Sequence, residues 1–133
     1  METSTIQIKV RGYHLDLYGH VNNARYLEFL EEARWTHYEG RVSKEEFESN
    51  RWAFVVVNIN INYRHPATVG DVIRIETGIK NAGKRSIVMQ QRIFLNDTDT
   101  LVVEADVTYV IVDGNTNSAI PIDGRLREIL VGE

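Results

Sequence analysis

Tyr13-His14-Leu15-Asp16-Leu17-Tyr18-Gly19-His20-Val21-Asn22-Asn23 gathers a carboxylate, two imidazoles and two amides into one short stretch. A carboxylate can take a proton from water or attack a carbonyl carbon itself. The stretch also runs into a segment with helical spacing. The first N–H groups of a helix have no partner within it, so they can polarise a carbonyl oxygen or hold an anion. Composition alone supports a structural reading as well, because an Asp ahead of a helix commonly closes an Asx-turn or caps the first turn. Asp16 is therefore a candidate base or nucleophile. His20 is a candidate for orienting water or Asp16, with a hydrogen-bonded loop histidine as the alternative. His14, His37 and His65 are widely spaced and share no ligand geometry, so no metal site and no cofactor are expected.

The elements around this stretch follow from periodicity. Ile6, Ile8 and Val10 alternate with polar residues, which predicts a strand. From Asn23 to Tyr38, residues Tyr26, Phe29, Leu30, Ala33 and His37 form one stripe at helical spacing, with Glu28, Glu31 and Glu32 on another face. Trp35 and Tyr38 lie off the stripe, so the helix is expected to be well covered. Asn22 or Asn23 is its N-cap. A polar connection spans Gly40 to Arg51, and strands follow. Ala53 to Val57 is continuously apolar, then Val57, Ile59, Ile61 and Tyr63 alternate with Asn58, Asn60 and Asn62. Ile73, Ile75, Thr77 and Ile79 precede a turn at Asn81-Ala82-Gly83. Ile87, Met89, Ile93 and Leu95 continue the pattern, with Gln91 out of place, and Val103 to Ile111 make the last strand. Short turns favour an antiparallel meander. Leu126, Ile129 and Leu130 suit a short terminal helix. One helix beside one antiparallel sheet is an α+β arrangement in the order β-α-β-β-β-β.

Asp16-Leu17-Tyr18-Gly19-His20-Val21-Asn22-Asn23, followed by Tyr26-Leu27 and Glu31-Glu32-Ala33-Arg34, resembles the D-x-x-G-H-V-N-N-x-x-Y-L signature of the 4-hydroxybenzoyl-CoA thioesterase family. Lys9 to His14, Ala24 to Leu30 and Ala53 to Arg64 resemble the bacterial long-chain acyl-CoA thioesterases of that family. The resemblance implies the hotdog fold, a long helix wrapped by an antiparallel sheet. It implies hydrolysis of acyl-CoA thioesters, with Asp16 as the catalytic carboxylate, either general base or nucleophile. Asn23 and its neighbours Gly19, Asn22 and Tyr26 are then the expected carbonyl-polarising and substrate-binding end. Lys84-Arg85-Ser86 would be a clamp for the CoA phosphates, or else a solvated hairpin tip. The Asn58, Asn60, Asn62 row would lie at a contact between copies, or be solvated. The rival readings are a hotdog dehydratase, which lacks its G-D-x-N-P-x-H pairing here, and a non-catalytic acyl-CoA or acyl-carrier binding module.

The bulk properties are compatible with this. The 133 residues are expected to form a single domain, and a formal net charge of −4 argues against bulk binding of nucleic acid or anionic membrane. There is no cysteine, so disulfides and thiolate metal sites are excluded. No apolar run approaches the roughly 20 residues that span a bilayer, and a cytoplasmic protein is expected. A chain this small with so apolar a strand is expected to bury surface between copies, as a homodimer or homotetramer.

Overall fold

Alternating residues become strands and the helical stripe becomes one long helix, as the computed structural model shows for residues 2–132. The strands are β1 (Thr3–Lys9), β2 (Trp52–Tyr63), β3 (Val72–Ala82), β4 (Ser86–Leu95), β5 (Leu101–Asp113) and β6 (Ser118–Ala119). The helices are α1 (Asn23–Tyr38), α2 (Lys44–Ser49) and α3 (Gly124–Val131). Across the sheet the order is β1-β3-β4-β5-β2, antiparallel throughout, with β6 on the end of β5.

The expected simple meander holds only for β3, β4 and β5. β2 lies beyond β5 at the far edge. The link between β2 and β3, residues 64–71, is no tight turn. The Arg64 and His65 N–H groups both donate to the Val102 carbonyl, at 2.8 and 3.3 Å, and so start the crossing beside β5. Two further expectations need correcting. The polar connection after α1 contains α2, capped by Ser43 Oγ accepting from the Glu46 N–H at 3.0 Å; six residues are too few to show a helical period. The turn expected at Asn81-Ala82-Gly83 falls after Ala82, because a register shift between Ile79 and Asn81 breaks the alternation while pairing continues.

The stripe of α1 lies buried on the concave face of the sheet, with Tyr26, Phe29, Leu30, Ala33 and His37 inward. Tyr38 is buried too, but Trp35 is 65% exposed, so one flank of the helix stays uncovered by its own chain. Two apolar clusters share the helix. One gathers Tyr26, Phe29 and Leu30 with Ile73, Ile75, Ile93 and Val103. The other gathers Tyr38 with Met89, Tyr109, Ile111 and the α3 residues Leu126 and Leu130.

Between the clusters lies one polar pair, Thr77 on β3 and Gln91 opposite it on β4. Gln91, which breaks the apolar pattern of β4, is completely buried. Its amide donates to the Leu30 carbonyl at 2.9 Å and to Thr77 Oγ1 at 3.0 Å, and its oxygen accepts from Arg34 at 3.0 Å. Two of these three bonds tie α1 to the sheet, and the third braces the amide from β3. Gln91→Leu keeps the volume and strands these partners. An unsatisfied buried polar group costs about 1–3 kcal/mol, so the urea unfolding midpoint of Gln91→Leu should fall by the equivalent amount at unchanged m-value.

Candidate active site

The stretch expected to do chemistry is a compact, tied-down loop. β1 ends as the Val10 N–H donates to the Asp71 carbonyl at 2.9 Å, and a 3₁₀ turn follows over Gly12–His14. The Arg11 N–H donates to His14 Nδ1 at 2.9 Å, and the His14 ring stacks edge-on against Phe29 with centroids 4.9 Å apart. Burial, with Arg25 nearby, pushes the His14 pKa below its ordinary value. A second turn then reverses the chain. The Asp16 N–H donates to the His20 carbonyl at 2.9 Å, and the Gly19 N–H to the Asp16 carbonyl at 3.1 Å. Gly19 has φ of +79°, a conformation that side chains beyond glycine adopt at a cost. Its carbonyl accepts from Thr68 Oγ1 at 2.8 Å, which anchors the loop to the β2–β3 link.

Asp16 closes an Asx-turn, its Oδ1 accepting from the Tyr18 N–H at 2.9 Å. The structural role foreseen for this residue is therefore real, and it leaves the carboxylate oriented and exposed to solvent. Asn22, not Asn23, is the N-cap of α1, its Oδ1 accepting from the Ala24 N–H at 2.9 Å. The Asn23 N–H finds no acceptor among the described residues and is the donor left at the helix start. The loop thus brings an oriented carboxylate close in sequence to an unused N–H. An acyl carbonyl accepting from that N–H would gain polarisation as its oxygen becomes negative. His20, whose carbonyl closes the turn opposite Asp16, has its side chain exposed and available to solvent or ligand.

Not every residue singled out joins this site. Tyr26 is 4% exposed and packs against Phe29 and Tyr63, with burial pushing its pKa up to about 12. It is a core residue below the loop, and its place in the stripe already pointed inward. Lys84, Arg85 and Ser86 sit at the β3–β4 hairpin, whereas the Asp16 loop is bonded to the other end of β3. The ten residue steps of β3 put about 33 Å between the two ends. The hairpin and Asp16 of one chain do not form one site. Among the described residues, no three His, Asp or Glu side chains converge as a metal site would require.

Reading the sequence missed Tyr63 and Thr68, which flank the loop from the β2 side; the Tyr63 hydroxyl donates to the Asn23 carbonyl at 3.3 Å. It also missed a cleft of about 640 Å³ at the other end of α1, walled by Trp35, Tyr38, Val42, Phe47, Phe54 and Val56. Its floor holds a buried hydroxyl pair, Tyr38 and Tyr109, bonded to each other. Only the aromatic residues of 35–54 hinted at it.

An antiparallel sheet curled around one long helix, with an exposed Asp beside the helix start, is the arrangement of a hotdog thioesterase. The thioesterase-like superfamily model matches residues 10–130, and the chain belongs to that superfamily. It is 49% identical over 124 residues to the long-chain acyl-CoA thioesterase FadM of Escherichia coli (strain K12), covering 93% of this chain and 94% of that protein. It is 36% identical to the acyl-CoA thioester hydrolase YbgC of Escherichia coli O6:H1, over 85% of this chain and 86% of the relative. The crystal structure of YbaW, a probable thioesterase from Escherichia coli, superposes with a TM-score of 0.88 at 48% identity, covering 95% of each chain.

The two buried imidazoles give the protein an acid limit. His14 and His37 are both held below the ordinary 6.5, each chiefly by burial, and His37 Nδ1 lies 2.7 Å from Ser4 Oγ. The unfolded chain therefore binds more protons than the folded one just below pH 6.5. Stability should be full above that pH and decline as the pH falls beneath it. Urea midpoints measured from pH 7.5 to 5 should show this slope, and it should flatten in the double variant His14→Gln/His37→Gln.

Proposed function

We propose that the protein hydrolyses long-chain acyl-CoA thioesters, with Asp16 as its catalytic carboxylate. The observation carrying this is the exposed Asp16 carboxylate, oriented by the Tyr18 N–H, at the start of a helix whose Asn23 N–H is unused. The thioester oxygen accepts from that N–H as the carbonyl carbon becomes tetrahedral. Asp16 either removes a proton from the attacking water or attacks the carbon to give an anhydride that water then opens. Both routes release the acid and the CoA thiol, and both need the carboxylate. The 49% identity to a protein named as a long-chain acyl-CoA thioesterase supports the acyl group. The same reading expects a cytoplasmic enzyme; among the described residues no helix is long and apolar enough to cross a membrane.

Asp16→Asn preserves the Asx-turn, because the amide oxygen still accepts from Tyr18. It should retain the wild-type melting behaviour and lose roughly 100- to 10,000-fold in turnover, the usual worth of a positioned general base. Thiol release from palmitoyl-CoA measures this. Near wild-type turnover in the folded variant removes Asp16 from the reaction.

β2 is an edge strand, and it exposes Val55, Val56, Val57 and Ile59 beside Asn58, Asn60 and Asn62. A long, uncharged, apolar edge is a template for pairing with another strand. We place an antiparallel β2–β2 contact between two copies there, giving a symmetric dimer that can pair again into a tetramer. The three Asn side chains then lie along the seam. Light scattering at micromolar concentration should report a dimer or tetramer, and a monomer would contradict the contact.

Such a twofold brings the Asp16 loop of one copy to the end of the assembly that carries the other copy's β3–β4 hairpin. Lys84 and Arg85, both exposed, would then meet the CoA phosphates across the seam, beside Arg127. Contacts to an unreacting part of the substrate stabilise ground and transition states alike. Lys84→Ala/Arg85→Ala should raise KM for acyl-CoA several-fold, weaken its salt dependence and leave kcat nearly unchanged. A thioester lacking the nucleotide should not register the change.

A further inference from the structure

The apolar cleft lies far from Asp16, at the opposite half of α1, and the hydrolytic chemistry does not use it. We propose that it receives the distal end of the substrate's acyl chain, and that Phe47 of α2 sets the longest chain accepted. The proposal rests on the reading of Asp16 and Asn23 as the point of hydrolysis.

Distance supports the assignment. At about 1.5 Å per residue, Glu31 at the mouth of the cleft is ~12 Å along α1 from Asn23, and Tyr38 at its end is ~22 Å away. An extended chain advances about 1.2 Å per single bond, given roughly 3.6 Å for the three bonds of a residue. A thioester carbonyl at Asn23 thus sends about ten carbon–carbon bonds to the mouth and about eighteen to the end. The route is apolar and open: Leu27 on α1 and Ile59 and Val56 on β2 are each exposed. The volume, about 640 Å³, falls within the roughly 300–1,000 Å³ typical of ligand pockets.

The lining suits an alkyl tail. The hydroxyls of Tyr38 and Tyr109 are turned toward each other and bonded, and the rings that carry them are buried beneath the cleft. Burial pushes the Tyr38 pKa up to about 12, so this phenol is neutral at ordinary pH. Of the charged residues at the cleft, Glu31, Glu39, Lys44 and Glu48 are exposed, and the half-buried Arg34 donates to the Gln91 side-chain oxygen. The far wall is aromatic. Phe47 meets Phe54 and Trp52 edge-on, with centroids 5.3 and 6.3 Å apart.

α2 is held in place as a separate piece. Glu46 receives a two-pronged contact from Arg125 of α3, at 2.8 and 3.0 Å, and this guanidinium keeps the Glu46 carboxyl below its ordinary pKa. Phe47, the next residue, is thereby stationed across the end of the cleft.

The test is the ratio of kcat/KM for stearoyl-CoA, whose tail of about seventeen carbon–carbon bonds comes within about one bond of the end, to that for octanoyl-CoA, whose tail stops short of the mouth. It is measured with the full-length wild type and with Phe47→Trp and Phe47→Ala, extended to palmitoyl- and eicosanoyl-CoA. Each buried methylene is worth roughly fourfold, so Phe47→Trp, excluding two or more, should lower the ratio by about tenfold or more. Phe47→Ala should move the preferred length upward by at least two carbons. Failure of the wild type to hydrolyse any of these thioesters would sink the underlying reading rather than the ruler. An unchanged ratio in both folded variants would overturn the proposal, and so would an equal loss for every chain length with a fall in molecular mass, since the cleft would then seat a second copy. Should the Phe47 variants not fold, Val56→Phe narrows the cleft from the β2 wall and must lower the same ratio.

Discussion

The placement of α1 on the sheet is decided at one side chain, Gln91. A helix lying on apolar β surface has many nearly equivalent positions, because apolar contact is not directional. The Gln91 amide removes that freedom. It reaches the Leu30 carbonyl and Arg34 of α1 while Thr77 holds it from the neighbouring strand, and a helix displaced by one turn, about 5.4 Å, would break both of the bonds to α1. Both ends of α1 are positioned from this central point: its start beside Asp16 and its finish over Tyr109.

The loop at the start of α1 uses the same atoms for structure and for chemistry. Asp16 folds the turn through its carboxylate, its N–H and its carbonyl, Gly19 supplies the left-handed residue, and Thr68 ties the turn to the link between β2 and β3. A catalytic group on a flexible loop would spend much of its time misdirected, whereas a carboxylate already bonded to Tyr18 has one oxygen held and one free to act. Neither function has to be sacrificed for the other.

What could be read from the residues, and what could not, divides along the range of the interactions. The limits of α1, Asn23 to Tyr38, were legible because the stripe and the Asn cap are local properties. The Asp16 loop was legible for the same reason, each of its signals lying within a few residues. The position of β2 was not, since only pairing with β5, some fifty residues later, carries it past β3 and β4. α2 was hidden by its brevity. The cleft was hidden because its walls come from α1, α2 and β2, and no short window contains them. Gln91 stood out as a break in the alternation, yet its three partners lie 14 to 61 residues away.

The paired phenols beneath the cleft have a consequence at alkaline pH. Tyr38 and Tyr26 are each pushed up to about 12, and Tyr109 is raised further, all chiefly by burial. In the unfolded chain these phenols would begin to ionise near pH 10, the ordinary value for tyrosine. Between that pH and their folded values the native state holds the extra protons, so its advantage is full below pH 10 and shrinks as the pH rises. Base therefore attacks this fold through its tyrosines, and their phenolate absorbance would arrive together with the collapse of the core and not ahead of it.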